Sequence, residues 1–265
     1  NVSEEINFIQ GTINDVKLVN SIFERHQFRY VYHAAAFAAE GLSHNVRSYN
    51  YLCNVVGSAN IINASVRYGV ERFGFVSSIA TYGYSSRHMT EDLVPSPEDP
   101  YGIAKYATEL DLIAAHHQFG LNYFICRLHN VYGERQSIRD PFRNVVGIFI
   151  RQIEEGKPLT IFGDGSQCRA FTYVGDIAQA LVDGLINDVF ANSVYNIGTD
   201  ERVKVIELAQ IISEAYSRNV EIEFLEKRRE AFETIVDHSK FHSDFSLKDF
   251  NLLSDGISST VEWFD

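Results

Sequence analysis

The chain has 265 residues, 45% of them hydrophobic and 22% charged, enough to bury a large core as one big domain or two ordinary ones. Its net charge of −12 argues against nucleic acid and anionic membrane as partners, since both select basic surfaces. No apolar run reaches the roughly 18–20 residues of a spanning helix, and the acidic, polar first residues do not read as a signal peptide.

Cys53, Cys126 and Cys168 are scattered and odd in number. They make neither a disulfide framework nor a zinc module, so a reducing cytoplasm is the expected compartment. The one methionine is Met89; the chain opens almost directly on the strand-like NFIQ and stops on a helical pattern, VEWFD. An excerpt of a longer protein is the expectation.

Short β-rich runs alternate with helical stretches. Ile6–Gln10 reads as a strand, and Asp15–His26 as a helix with Val16, Val19, Ile22 and Phe23 at three-to-four spacing. RYVYH (Arg29–His33) is a strand that runs into the tight turn Ala34–Ala36, and a long helix follows over about Ser43–Tyr68. ERFGFVS (Glu71–Ser77) is a strand, a long loop leads to a helix from about Pro100 to Phe119, and Leu121–Arg127 is a further strand. Strand and helix in alternation, without hairpin signals, predict an α/β fold with a parallel sheet.

Past about Gly133 the rhythm loosens. A helix near Asn144–Glu155, LTIFGDG, RAFTYV, a helix over Asp176–Ile186, VYNIG, an amphipathic Val203–Tyr216 and the strand VEIEF suggest a smaller α+β lobe. No internal repeat or low-complexity tract appears, and no Pro/Gly-rich linker divides the parts. Two interleaved lobes meeting at a cleft are expected.

The sharpest local feature is YGIAK. Tyr101 and Lys105 stand four apart and share one helix face. A cation within roughly 4–6 Å lowers a phenol's ionisation by about 1–3 units, toward the range of a general base. Chance supplies fewer than one such pair in a chain of this composition, and a solvated helix face is the plain alternative. Company raises the pair: Ser77 and Ser78 stand at the carboxyl end of an apolar strand, where open parallel sheets bind ligands. His116 and His117 read as helix surface, and Cys126 and Cys168 as small buried hydrophobes. With no HExxH and no clustered Cys/His, no metal is expected.

In order along the chain, YVYHAAA, NVVGSANIINAS, FVSSIATYG, PEDPYGIAKYATE, RLHNVYGE, FRNVVGIFIRQ, LTIFGDGSQCRAFTYVGDIA, VYNIG and DHSK carry a resemblance. The chain resembles the extended short-chain dehydrogenase/reductases, in the branch of NAD-dependent nucleotide-sugar epimerases typified by UDP-glucose 4-epimerase. The resemblance implies a Rossmann-like doubly wound sheet over residues 1–140 and part of 170–200, with residues 141–265 mainly a nucleotide-sugar-binding lobe.

It also implies roles. Ser78 falls on the catalytic hydroxyl and also touches substrate, Tyr101 on the general base, and Lys105 on its partner, which holds the nicotinamide ribose. Ile13, Ala34, Ala35, Ala36, Asn54, Ser77 and Leu128 fall beside the NAD cofactor, Leu128 standing where many relatives carry Tyr. Asn130, Asn144 and Val145 resemble sugar-diphosphate contacts, Thr160 and Phe162 nucleobase contacts, Arg169 the diphosphate arginine, and Arg229 a second phosphate or ribose arginine. Close packing by small residues (Ala34–Ala36), an ordinary mid-helix polar residue (Asn54), caps (Asn130, Asn144) and a solvated cation (Arg169) are the non-functional alternatives. A bidentate guanidinium suits a diphosphate.

In that family the phenolate takes the proton of the sugar 4-hydroxyl while hydride moves to NAD; the 4-keto sugar swings about its diphosphate and hydride returns to the other face. Dehydrating relatives place Asp-Glu directly after the catalytic Ser/Thr, and decarboxylating ones a Glu two positions after it. Here those positions hold Ile79 and Ala80, which favours epimerisation. Another nucleotide-sugar reductase or epimerase of the family, and a non-catalytic nucleotide-sugar or NAD-binding protein, are the alternatives. The family also implies a homodimer, through a four-helix bundle of about Ser43–Tyr68 and Tyr101–Phe119 with their twins.

No GxxGxxG or GxGxxG occurs in these residues. In the family that turn lies on the first strand–helix unit, where a helix N-terminus receives the pyrophosphate. The resemblance therefore places the first residue at about the third strand, with roughly 50–60 residues expected ahead of it. Gly11-Thr12-Ile13 also departs from the usual Gly-Asp-Ile, and Thr12 is a weaker acceptor for adenine. A polypeptide of these residues alone is expected to bind NAD weakly or not at all and to be inactive, with its sheet re-paired or unstable.

Overall fold

A computed structural model of the chain describes residues 6–83, 88–140, 144–227, 235–245 and 250–264. It divides into two compact units, Asn1–Thr81 with Pro95–Cys126 and Val182–Val194, and Tyr82–Val94 with Arg127–Leu181 and Tyr195–Asp265. Each contains its own hydrophobic cluster. Phe73, Phe75, Leu112 and Ile125 centre the first, and Phe149, Ile150, Leu159, Leu208 and Ile257 the second.

Local chemistry accounts for the helices of the first unit. Asp15 caps Val16–His26, its carboxylate accepting from the backbone N–H groups of Lys17 and Leu18 at 3.1 and 3.0 Å. Val19 and Phe23 turn inward from that helix. Asp99 caps the twenty-residue helix Pro100–Phe119, with proline in its first turn and Gly120 closing it at φ 76°.

Four strands, Tyr30–His33, Arg72–Ser78, Asn122–Leu128 and Ser193–Ile197, lie side by side in that order. The first two run parallel, Tyr30 opposite Arg72 through His33 opposite Phe75. Arg72–Ser78 is buried along nearly its whole length, as a strand covered on both faces must be.

Two expectations need correcting. Residues 6–10 form no strand, and Ile6 and Phe8 are 59% and 65% exposed. An alternating apolar run becomes a strand only where a neighbour takes its backbone bonds, and among the described residues Tyr30–His33 has a strand neighbour on one side only. The long helix over 43–68 is also not continuous. It breaks into Glu40–Ser43, Arg47–Tyr51, a π-helical turn over Leu52–Val56, and Gly57–Arg67. At the π turn the N–H of Gly57 reaches the Leu52 carbonyl.

Among its described residues the second unit holds three two-stranded pairs. Leu159–Phe162 runs parallel to Ile222–Leu225, Val131–Tyr132 parallel to Thr172–Tyr173, and Cys168–Ala170 antiparallel to Arg202–Lys204. Helices Val145–Glu154, Val205–Ala215 and Leu253–Phe264 pack with them.

One polar anchor secures the first unit. Arg72, 4% exposed, donates to the carbonyls of Leu185 and Asn187 at 3.0 and 2.6 Å and pairs with Asp188. Those carbonyls lie at the C-terminal end of helix Val174–Ile186, where a cation also meets the negative end of the helix dipole. Arg72→Met leaves both carbonyls without this donor and is expected to lower stability by about 1–3 kcal/mol, read as a lower urea midpoint at unchanged m-value.

Candidate active site

The Tyr101–Lys105 pair is built by the start of helix Pro100–Phe119. Asp99 accepts from the Gly102 N–H at 2.9 Å and fixes the first turn. Asn50 donates to the Pro100 carbonyl at 2.8 Å. Gly102 lets the helix press onto the turn after Ser78, since a Cβ there would lie 2.4 Å from the Ala80 carbonyl oxygen. In that turn, Ile79–Tyr82, the Ser78 hydroxyl accepts from the Ala80 N–H at 3.1 Å and the Thr81 hydroxyl donates to the Ser78 carbonyl at 2.9 Å.

Lys105 is buried at 3% exposure, and its Nζ donates to the Val76 carbonyl at 2.7 Å. The same nitrogen stands 4.8 Å from the Phe75 ring centroid and 5.8 Å from that of Tyr101. Amine and phenol therefore face the same way, with Tyr101 half-buried. Burial pulls the Lys105 ammonium down from the ordinary 10.5 to about 8, against the opposing pull of Cys126 and Glu109.

Glu109, one turn beyond Lys105, is a participant that sequence reasoning missed, although its spacing of four from the lysine was readable. It is 1% exposed and accepts a short hydrogen bond from the Ser77 hydroxyl. That bond turns Ser77 inward.

Two further neighbours, His33 and Cys126, are neutral. Burial, with Lys105 adding a smaller push, lowers His33 to about 4. Ser58 donates to the Asn54 carbonyl at 2.6 Å, so His33 Nε2, 2.8 Å from the same hydroxyl, is the donor to it. Burial lifts the Cys126 thiol to about 12, which leaves it a protonated hydrophobe.

Asn54 sits in the π turn. Its side chain accepts from the Phe37 N–H at 2.7 Å and donates to the Phe37 carbonyl at 3.0 Å, fixing the chain just past Ala34–Ala36. Ala34 and Ala35 are exposed and Ala36 is half-exposed at the carboxyl end of Tyr30–His33. These small residues leave a backbone ledge free of bulky side chains. Ile13 accepts through its carbonyl from Asn60 at 3.0 Å. The ledge, with a buried cation in the same unit, fits a dinucleotide cofactor.

In the second unit Asn130, Asn144 and Arg169 are each tied to a backbone carbonyl. Asn130 lies in the left-handed region at φ 42° and donates to the Ala170 carbonyl at 2.9 Å. Asn144 donates to the Val131 carbonyl at 2.7 Å, and caps helix Val145–Glu154 by accepting from the Gly147 N–H at 3.2 Å. Arg169 Nη1 donates to the Cys168 carbonyl at 2.7 Å. Thr160 and Phe162 lie two apart on the less buried face of Leu159–Phe162. Gln152 holds Thr160 by two bonds, 2.8 Å to its hydroxyl and 3.2 Å from its N–H. Val145 and Leu128 are half-buried, and Arg229 lies outside the described residues.

The comparisons agree with this architecture. The model of the NAD dependent epimerase/dehydratase family matches residues 1–198, and the chain belongs to that family. A UDP-glucose 4-epimerase of Thermotoga maritima, solved with UDP-glucose, superposes with a TM-score of 0.93 at 31% identity, over 99% of this chain and 85% of that one. The UDP-glucose 4-epimerase of Thermus thermophilus, solved with NAD, gives 0.90 at 28% identity, over 99% and 86%. A UDP-glucuronate 4-epimerase of Thermodesulfobacterium geofontis is 28% identical over 98% of this chain and 80% of its own length.

Any turnover that draws on Tyr101 needs Lys105 charged. As pH rises through about 8 the ammonium loses its proton, so kcat/KM is expected to fall on that limb, as a pH–rate profile would record. Folding follows the opposite sign. Between about 8 and 10.5 the unfolded chain binds the extra proton, so the penalty for burying this charge fades as pH rises.

Proposed function

We propose that the chain belongs to an enzyme that inverts carbon 4 of a nucleotide-diphosphate hexose, with UDP-glucose and UDP-galactose as the first pair to test. The observation that carries the reading is the Tyr101 ring 5.8 Å from a buried ammonium, at a helix start pressed against the Ser78 turn. Bound NAD supplies reversible hydride acceptance, and it is regenerated within each cycle.

On this reading the residues of the chain manage protons and position. Tyr101, held toward its phenolate by Lys105, takes the proton of the sugar 4-hydroxyl and later returns it. Ser78 hydrogen-bonds the same hydroxyl. Ala34–Ala36 and Asn54 line the cofactor's path, with Ile13, Ser77 and Leu128 beside it. The nucleotide is gripped by the start of helix Val145–Glu154 at Asn144, by Asn130, Thr160 and Phe162, and by the arginines Arg169 and Arg229. The hexose itself is held loosely enough to turn over.

Ile79 and Ala80 carry no titratable proton, which disfavours elimination of water and decarboxylation. All three cysteines are free, consistent with work in a reducing cytoplasm. Among the described residues no helix is long and apolar enough to cross a membrane.

The full natural polypeptide carrying this sequence, incubated with UDP-glucose, is expected to yield UDP-galactose without added NADH. Tyr101→Phe lowers kcat by about 10²–10⁴ with the fold intact by circular dichroism. Stoichiometric consumption of NADH would instead assign a reductase, and a deoxy product a dehydratase.

A homodimer follows on the same reading. Tyr49, Leu52 and Val56, at helical spacing, and Ile103 and Leu110, seven apart, expose large apolar side chains on the two helical segments of the first unit. Light scattering at micromolar concentration should give twice the chain mass, and Leu110→Glu should shift it toward the monomer. A wild-type monomer overturns the dimer.

A further inference from the structure

A cluster in the second unit has no part in the reaction proposed above. Asp200 follows the strand Ser193–Ile197. His238 precedes, and His242 lies within, the short helix Ser239–Asp244, and residues four apart leave one helix face. His238 Nδ1 is 2.7 Å from Asp200 Oδ1 and His242 Nε2 is 3.3 Å from Asp200 Oδ2. One donor atom from each of the three lies within 4.8 Å of the others.

The far edge of the cluster is anchored as well. His238 Nε2 meets His129 Nε2 at 3.0 Å, with the rings stacked at 5.0 Å, and the His129 ring also bonds the Ala170 backbone. His238 is thereby held with its Nδ1 facing the Asp200 carboxylate.

We propose that Asp200, His238 and His242 form a binding site for a divalent transition metal of the zinc class. Two imidazoles and a carboxylate are the donor set such ions choose, whereas magnesium and calcium take all-oxygen shells. His238 is 2% exposed, and its outer nitrogen is held by His129, the kind of partner that orients metal-bound histidines. A cavity of about 280 Å³ adjoins the cluster, lined among others by His88, Arg202 and Asp237, with room for water as a fourth ligand.

At bond lengths of about 2.1 Å, tetrahedral donors stand about 3.4 Å apart, so the site closes with side-chain shifts on the order of 1 Å. Asp200 and His242, 66% and 30% exposed, are free enough to make them. The ion would tie the helix near residue 240 to the loop after Ser193–Ile197. The sequence hides the site because Asp200 stands 38 positions before His238, too far for a metal motif.

The test uses untagged protein, stripped with chelator and free of nucleotide, titrated with Zn²⁺ by calorimetry and with Co²⁺ by visible absorption. Expected are one ion per chain, a raised melting temperature and the intense visible bands of four-coordinate cobalt. His242→Ala and Asp200→Asn, both at accessible positions, should each weaken the affinity by about 10-fold or more while keeping the native circular dichroism spectrum. Absence of saturable one-to-one uptake, or wild-type affinity in either variant, overturns the proposal.

Discussion

The first unit is organised around a positive charge in a place that penalises charge. Lys105 keeps its ammonium out of water because three features answer it: the Val76 carbonyl, the face of Phe75 and the nearby carboxylate of Glu109. They come from two pieces of the fold. The carbonyl belongs to a strand buried along its length, the ring to the same strand, and the carboxylate to the next turn of the lysine's own helix. Tyr101, half-buried, lies with its ring 5.8 Å from that cation, at a separation where low-dielectric surroundings screen charge only weakly.

The second unit works with neutral amides. Asn130, Asn144 and Gln152 are fastened to backbone or to Thr160 by the bonds described above, so they act as framework before any ligand arrives. Asn144 illustrates the division of labour. Its oxygen serves both the Gly147 N–H and Gln136 and its nitrogen serves Val131, so one amide caps helix Val145–Glu154 and ties it to the preceding strand.

Much of this was legible from local signals. Asp15, Asp99 and Gly120 mark helix ends by short-range hydrogen bonding, and the apolar run of Arg72–Ser78 marks a strand covered on both faces. The YGIAK spacing named the pair that the fold brings face to face. What escaped depends on distant partners. Ile6–Gln10 has a strand's pattern but no strand. The helix after Ala36 is broken where Asn54 reaches a backbone 17 positions away, and no periodicity records such a bond. Glu109, four beyond Lys105, reveals its burial and its bond from Ser77 only in the folded chain.

The π turn over Leu52–Val56 also has a consequence for chain length. A π turn holds one residue more than regular α-helical winding would, whereas in a regular helix each added or lost residue rotates everything beyond it by about 100°. Loss of one residue at this turn would let ordinary winding cover the same rotation, so Ile62 and Ala64 could stay in the core. The change would fall on Asn54, whose two bonds to Phe37 are made from inside the turn.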